Sequence, residues 1–430
     1  MGAGVGRGLA AAATIAVAVA GIWSSAAGAR AASRSLSPDT HFFVPGFEVQ
    51  AKQQWSGLIA QGDRHDAGLL AAMEETSHAV WIDRGSPNSA RVEVQKTANQ
   101  AAGKGQVPVF VAYNIPGRDC GGLSAGGANG TAQYEAWIDG LSQGLGDHQA
   151  VVILEPDALG LLPSNCGGPS ASYPFTDAER YTELNYAVVR LEQHPSTSVY
   201  LDGTHSAWLN VAGAATRLVT AGVRRTQGFF LDVSNFQYTA NLGQYGTWIS
   251  DCIAYATSVK PNDFGACPDQ YWNGGPSNNF VGVALSPYGV WSNDAAEQDL
   301  NTSGENERYS TLLGSTAPTT HFVIDTSRNG QGPWNPTIST PDPQNWCNPP
   351  MRGLGTRPTA STGHALVDAY LWVKVPGESD GSCNRGISGS SVDPVWAGIT
   401  GNPTFTDPAA GQWFPPQALQ LAQLANPPER

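Results

Sequence analysis

Seven short runs of apolar, largely β-branched residues punctuate the chain, at positions 79–82, 107–113, 150–154, 198–201, 228–233, 321–324 and 369–373. Each has strand length and little polar interruption, the pattern of a strand buried on both faces. Between several of them lie segments with apolar residues at helical spacing, including 133–145, 177–193 and 207–221. Ahead of the first run, Trp55, Leu58, Ile59, Leu69, Leu70 and Met73 predict one helix over 49–73. Strand, helix, strand at this rhythm implies parallel pairing, with helices covering the faces of the sheet.

Polar groups close nearly every run: Asp83, Tyr113, Glu155, Asp202, Asn235, Asp325 and Lys374. Their recurrence along the whole chain favours an α/β fold, a single-domain distorted (β/α) barrel of about seven parallel strands with its active site at the strands' C-terminal ends. The competing open, doubly wound sheet concentrates its site at one switch point instead. Asp119 and Asp157 lie just beyond the second and third runs, Asp202 closes the fourth and Asp380 follows the last, so four carboxylates are expected on one face. Each of three has a plainer reading: Asp157 as the cap of a helix opening at Pro156, Asp202 as a hydrogen-bond acceptor for a neighbouring loop, Asp380 as a turn residue. Two stretches break the rhythm, 258–314 and 386–412, and loops of that length are uncommon unless they line a site.

The chain has 430 residues, 41% of them hydrophobic, enough for a sizeable core. A formal net charge of −13 with no basic run argues against nucleic acid and anionic membranes as partners. An Ala/Val-rich stretch over 8–21 behind Arg7, then Ala27-Gly28-Ala29, predicts a signal peptide at 1–29 and a secreted, soluble domain at 30–430, without a separate carbohydrate-binding module. The alternating glycines near the N-terminus read as leader rather than as a phosphate loop, because no strand precedes them. Six cysteines, Cys120, Cys166, Cys252, Cys267, Cys347 and Cys383, predict disulfides in an exported chain, with the pairing left open. No Cys or His spacing suits zinc, and neither a metal nor another cofactor is implied.

Five peptides carry a family signature in order: Tyr-Asn-Ile-Pro-Gly-Arg-Asp-Cys-Gly-Gly, Ile-Leu-Glu-Pro-Asp-Ala-Leu, Leu-Asp-Gly-Thr-His-Ser-Ala-Trp, Val-Ser-Asn-Phe and Trp-Val-Lys-Val-Pro-Gly-Glu-Ser-Asp-Gly. Together they closely resemble glycoside hydrolase family 6, the cellulases with an incomplete (β/α) barrel, over residues 44–424. The resemblance implies an inverting hydrolase, expected to be monomeric, acting on β-1,4-glucan. It implies Asp157 as general acid, Asp119 as the aspartate that raises that acid's pKa and organises the water, and Asp380 as general base. A water chain relayed through Asp119 or backbone carbonyls is the alternative to Asp380. Tyr113 matches the tyrosine crowding the distorted sugar, and Asp202 is expected to support the site through hydrogen bonds to Asp157 or to sugar hydroxyls. Arg118 is a candidate ion-pair partner of Asp119 or Asp380.

Flat sugar faces suit indole rings, and of 13 tryptophans Trp81, Trp208 and Trp346 lie at strand ends or in family-like motifs, as sugar platforms. His205, Asn235, Lys374 and Glu378 match positions that hydrogen-bond glucose hydroxyls. The same resemblance implies bridges Cys120–Cys166 and Cys347–Cys383, leaving Cys252 and Cys267 as a third pair. Trp-Cys-Asn-Pro-Pro, Gly-Leu-Gly-Thr-Arg-Pro and Phe-Pro-Pro-Gln-Ala-Leu look like the family's bacterial endoglucanases, which favours internal cleavage over release of cellobiose from a tunnel. A secreted glycan-binding protein that has lost turnover is the reading from another class.

Overall fold

The structure is a computed structural model that describes residue 1 and residues 36–170, 172–336 and 342–428. The expected signal peptide, Met1 apart, lies outside the described residues. Seven strands form one parallel sheet in sequence order: β1 (Val80–Ile82), β2 (Val109–Ala112), β3 (Ala150–Leu154), β4 (Thr197–Asp202), β5 (Gly228–Leu231), β6 (His321–Asp325) and β7 (Val367–Leu371). Each coincides with a predicted run, shifted at most by a few residues. The sheet curls into a distorted half-barrel whose edges meet without a full ladder among the described residues. Ala79 N–H donates to Trp372 O at 2.9 Å and the Trp81 indole N–H to Val373 O at 2.8 Å, drawing β1 and β7 together.

Alternation along the strands splits the core. Val109, Val111, Val151, Ile153, Tyr200, Phe230 and Val323 point into the barrel. Phe110, Ala112, Val152, Leu154, Val199, Leu201, Phe229 and Phe322 point outward against the helices. Both faces are therefore apolar, which is why the strands appear as unbroken runs rather than as alternating ones.

The helices are α1 (Val49–Gln61), α2 (Arg64–Glu74), α3 (Pro87–Gly103), α4 (Thr131–Leu145), α5 (Asp177–Leu191), α6 (Val211–Ala221), α7 (Thr239–Ala254), α8 (Ser303–Leu313), α9 (Pro394–Thr400) and α10 (Pro415–Gln423). The single helix predicted over 49–73 is two. Gly62, at φ 82°, ends α1 in the left-handed conformation, and the Asp63 side chain starts α2 by accepting from Asp66 N–H. The two irregular stretches each hold a helix, α8 and α9, with few apolar residues at helical spacing to betray it.

Three disulfides are present, Cys120–Cys166, Cys252–Cys267 and Cys347–Cys383, in the pairing that the resemblance implied. The first joins the loops after β2 and β3. Among the described residues, no helix is long and apolar enough to cross a membrane.

At Gly228, between β4 and β6, a Cβ would sit 1.8 Å from His321 O. Gly228→Ala is expected to cost about 1–3 kcal/mol of stability. Chemical denaturation checks this, and an unchanged midpoint would contradict the tight strand approach.

Candidate active site

The loops leave the strands through an unusual concentration of left-handed backbone. Asp119, Glu155, Asp157, Thr204, Asp232 and Ser234, all non-glycine, have φ between 55° and 70°. Such conformations cost on the order of 1–3 kcal/mol each and persist only where the surroundings enforce them. Four buried carboxylates do so. Glu155 accepts from the backbone N–H groups of Asn114 and Ile115, and Asp232 from that of Gln237. Asp325 accepts from Ser234, Ser327, Val373 and Lys374. Asp202 accepts from Leu159 and Gly160, both at 3.1 Å, and from Thr204 at 2.8 Å.

The expected support of Asp157 by an Asp202 hydrogen bond is therefore replaced by a bond to the neighbouring loop. Asp202 lies beneath the cleft, beside a small recess it shares with Asp157 and His205. Its carboxylate is spent on amides that place Asp157, and it acts on Asp157 through charge.

Above these fasteners opens a cleft of about 1130 Å³. Asp119, Asp157, Asp380 and Tyr113 line it, with the platform candidates Trp81, Trp208 and Trp346. His205, Asn235, Lys374 and Glu378 line it as well, so the structure brings together every expected site residue except the recessed Asp202. Tyr113 is held edge-on by Trp81, ring centroids 5.3 Å apart, and lies under the Arg118 guanidinium at 4.4 Å. The His205 Nδ1 accepts from Ala207 N–H, leaving Nε2 as the donor, and burial lowers the imidazole's pKa to about 4, so it is neutral. Burial raises Glu378 to about 7 against the opposing pull of Lys374, while Glu48 and Asp83 add to the rise.

The three cleft aspartates have contrasting environments. No protein donor bonds the Asp157 carboxyl among the described residues, and no helix follows for it to cap: Pro156 opens a turn. Burial, then the charges of Asp202, Asp119 and Asp380, push its pKa well above the ordinary 3.8. Asp119 is also raised by burial, moderated by the Ser124 N–H, which donates to its Oδ2 at 2.6 Å, and by the charge of Arg118. For Asp380, burial is outweighed by Arg328 and Lys374, and its pKa is lowered. The Arg328 Nη1 donates to Asp380 Oδ2 at 2.7 Å, and Lys374 Nζ lies 3.4 Å from Oδ1.

Arg118 pairs with neither Asp119 nor Asp380 as expected. It spans backbone carbonyls of Asp83, Tyr113 and Ser124, because its loop turns it away from both acids. Arg328, the buried partner of Asp380, was not legible in the sequence, because it stands three residues beyond Asp325, outside the apolar runs and outside the five family-like peptides. Asn348 escaped too. Its backbone N–H donates to Asp380 Oδ2 at 2.8 Å, its Oδ1 accepts from Asp380 N–H, and its Nδ2 donates to Asp407. The 386–412 stretch thus touches Asp380 through Asn348 and also lines the cleft itself, at Ala409 to Gln412. Trp334, a fourth indole on the cleft wall, sits in a proline-flanked loop with no strand to flag it.

A carboxyl whose folded pKa is raised stabilises the fold below its unfolded value, and that contribution is lost as pH rises above it. Asp157→Asn removes the loss. The variant is expected to melt above the parent at pH 7, with the difference vanishing below the ordinary value of 3.8. Equal melting temperatures at pH 7 would contradict the raised pKa.

The profile of the family described as Glycosyl hydrolases family 6 matches residues 37–425. Endoglucanase A of Cellulomonas fimi is 32% identical over 382 residues, which is 89% of this chain and 62% of that protein. A probable 1,4-β-D-glucan cellobiohydrolase C of Aspergillus fumigatus is 29% identical over 83% of this chain and 71% of its own length. This chain spans only 50% of a second endoglucanase A, from Thermobispora bispora, at 34% identity over 70% of this chain. Among solved structures, the endoglucanase Cel6 from Mycobacterium tuberculosis, in complex with a thio-cellobioside, superposes with a TM-score of 0.62 at 30% identity, covering 91% of this chain and 100% of that one. The order of the strands, the acids at their carboxyl ends and a match that runs nearly from end to end agree: this chain belongs to glycosyl hydrolases family 6.

Proposed function

We propose that the protein is a secreted endo-acting hydrolase of β-1,4-glucan that inverts the anomeric carbon. The observation that carries this reading is Asp157, a carboxyl with raised pKa and no protein donor among the described residues, on a cleft also lined by four indole rings. A glycosidic oxygen leaves poorly as an alkoxide and must be protonated as the bond breaks. Asp157 retains its proton above the pH at which an ordinary aspartate loses it, and supplies it. The stacking faces of Trp81, Trp208 and Trp346 hold the sugar rings, and Tyr113 crowds the ring at the cleavage point.

Water attacks from the face opposite the leaving group, and its proton needs an acceptor. Asp380 stays ionised, but Arg328, Lys374 and the Asn348 amide occupy its oxygens and weaken it as a base. Its fixed negative charge serves better to orient the water and to steady the positive charge growing on the ring. Among the described residues Asp119 has one oxygen committed, to Ser124, and a raised pKa that suits it to take the proton through water. In this reading the relay alternative prevails over direct abstraction by Asp380. The three disulfides and the leader-like N-terminal sequence support export. Endo action draws on the likeness to the Mycobacterium endoglucanase, which this chain covers completely.

Asp157→Ala is expected to lower hydrolysis of carboxymethylcellulose roughly 10²–10⁴-fold, the usual share of a general acid. A variant within about tenfold of the parent would exclude the assignment. Because Asp157 must be protonated, activity should fall as pH rises through its pKa.

Proton NMR of the first product should show the α anomer; a β product would indicate retention. Internal cleavage predicts a steep loss of viscosity for little reducing sugar released, whereas release of cellobiose from chain ends predicts the reverse.

A further inference from the structure

Exposed aromatic and aliphatic side chains gather in one part of the 258–314 insertion, outside the cleft. Trp272 is 40% exposed, Phe280 59% and Val281 63%. Asn273 N–H donates to Val283 O and Phe280 N–H to Gly275 O, so the backbones that carry these side chains run side by side, and exposed apolar side chains grouped in this way mark an interaction surface. This one is built rather than loose. Asn273, buried, donates from Nδ2 to Gln298 O and Asn301 O and exchanges two hydrogen bonds with the Val283 backbone. Phe280 N–H donates to Gly275 O at 2.8 Å, and Gly275 lies so close to Gly304 that a Cβ would stand 2.3 Å from its carbonyl. Arg308 covers the Trp272 ring at 5.0 Å from its centroid. A display fixed in this way loses little entropy when something binds it.

Two observations select the occupant. From Tyr271 to Asn293 the sequence carries no Asp, Glu, Lys, Arg or His, only aromatic, aliphatic, amide, hydroxyl, glycine and proline residues. Beside it stand one charge of each sign, Arg308 on the Trp272 ring and Glu307, which accepts from Ser277 N–H, so the surface has no net charge to offer an ionic partner and suits a neutral polymer of hydroxyls and flat C–H faces. It is also continuous with the cleft. The Tyr271 hydroxyl donates to the backbone carbonyl of Trp208, a platform candidate, at 2.8 Å, and Tyr288 of the same insertion lines the cleft itself.

We propose that the Trp272–Phe280–Val281 surface of the insertion is a second contact for β-glucan, gripping chain that lies beyond the Trp208 side of the cleft and so favouring long or insoluble substrate. This rests on the reading of the cleft as a β-glucan site. No bond is made or broken there, and short soluble oligosaccharides do not reach it.

The test compares the parent with Trp272→Ala/Phe280→Ala, and with Phe280→Ser/Val281→Ser in case loss of the indole loosens the loop. Adsorption to swollen cellulose, hydrolysis of that cellulose and hydrolysis of cellotetraose are each measured, with melting temperature as the check on folding. The expected result is a fall of roughly 3- to 10-fold in adsorption and in hydrolysis of swollen cellulose, the size expected for one or two stacked rings, with cleavage of cellotetraose unchanged. Unchanged adsorption in a folded variant overturns the proposal. So does a concentration-dependent dimer of the parent that the substitutions abolish while adsorption persists, because the surface then serves a second copy. A parent that cleaves neither substrate yet adsorbs through this surface would defeat the reading of the cleft instead, and leave the second contact standing.

Discussion

Backbone amides bonded to buried carboxylates at the carboxyl ends of a parallel sheet are the constraint on which this molecule depends. Glu155, Asp202, Asp232 and Asp325 sit where strands β3, β4, β5 and β6 end. A buried carboxylate without partners is costly, and so is a loop amide without an acceptor, so each meets the other's need. Three of them reach sideways to the loop of a neighbouring strand, Glu155 to the loop after β2, Asp202 to the loop after β3 and Asp325 to the loops after β5 and β7, while Asp232 fastens its own loop at Gln237. They hold non-glycine residues in left-handed backbone and so aim the cleft side chains.

The same bonds create the electrical contrast of the site. Asp202 cannot both bind the amides of Leu159 and Gly160 and leave Asp157 in a neutral neighbourhood, because its charge adds to the burial that keeps Asp157 protonated. Across the cleft, Arg328 and Lys374 hold Asp380 ionised. Two aspartates in one cleft thus have pKa values driven apart by their surroundings, the arrangement that separates an acid's role from that of a charged partner. Asn348 extends this control to the 386–412 stretch, since it touches both Asp380 and Asp407.

Much of this was legible in the sequence, for identifiable reasons. Strands buried on both faces leave unbroken apolar runs, and all seven were found. Residues just past such runs fall at one end of the sheet, which located Asp119, Asp157, Asp202 and Asp380. What sequence could not convey is which way a side chain turns. Asp202 and Asp157 look alike as strand-end acids, yet one fastens a loop and the other faces the cleft. Arg118 lay beside Asp119 in sequence but turns to carbonyls, whereas Arg328 comes to Asp380 from more than fifty residues away. Gly62 split a helix that apolar spacing alone had joined. The helix α8 has a polar, weakly patterned surface, so its segment looked irregular.

Asp157 can serve as the acid only because its side chain remains neutral in a site otherwise rich in negative charge. Carbon-detected NMR of carboxyl-labelled protein, with Asp157→Asn to assign the signal, follows that group directly through a pH titration. The expected resonance is still in its protonated position at pH values where ordinary aspartates have ionised, and titrates at lower pH when Asp202 is changed to Asn. A carboxyl at 157 that titrates near the ordinary aspartate value of 3.8 would contradict it.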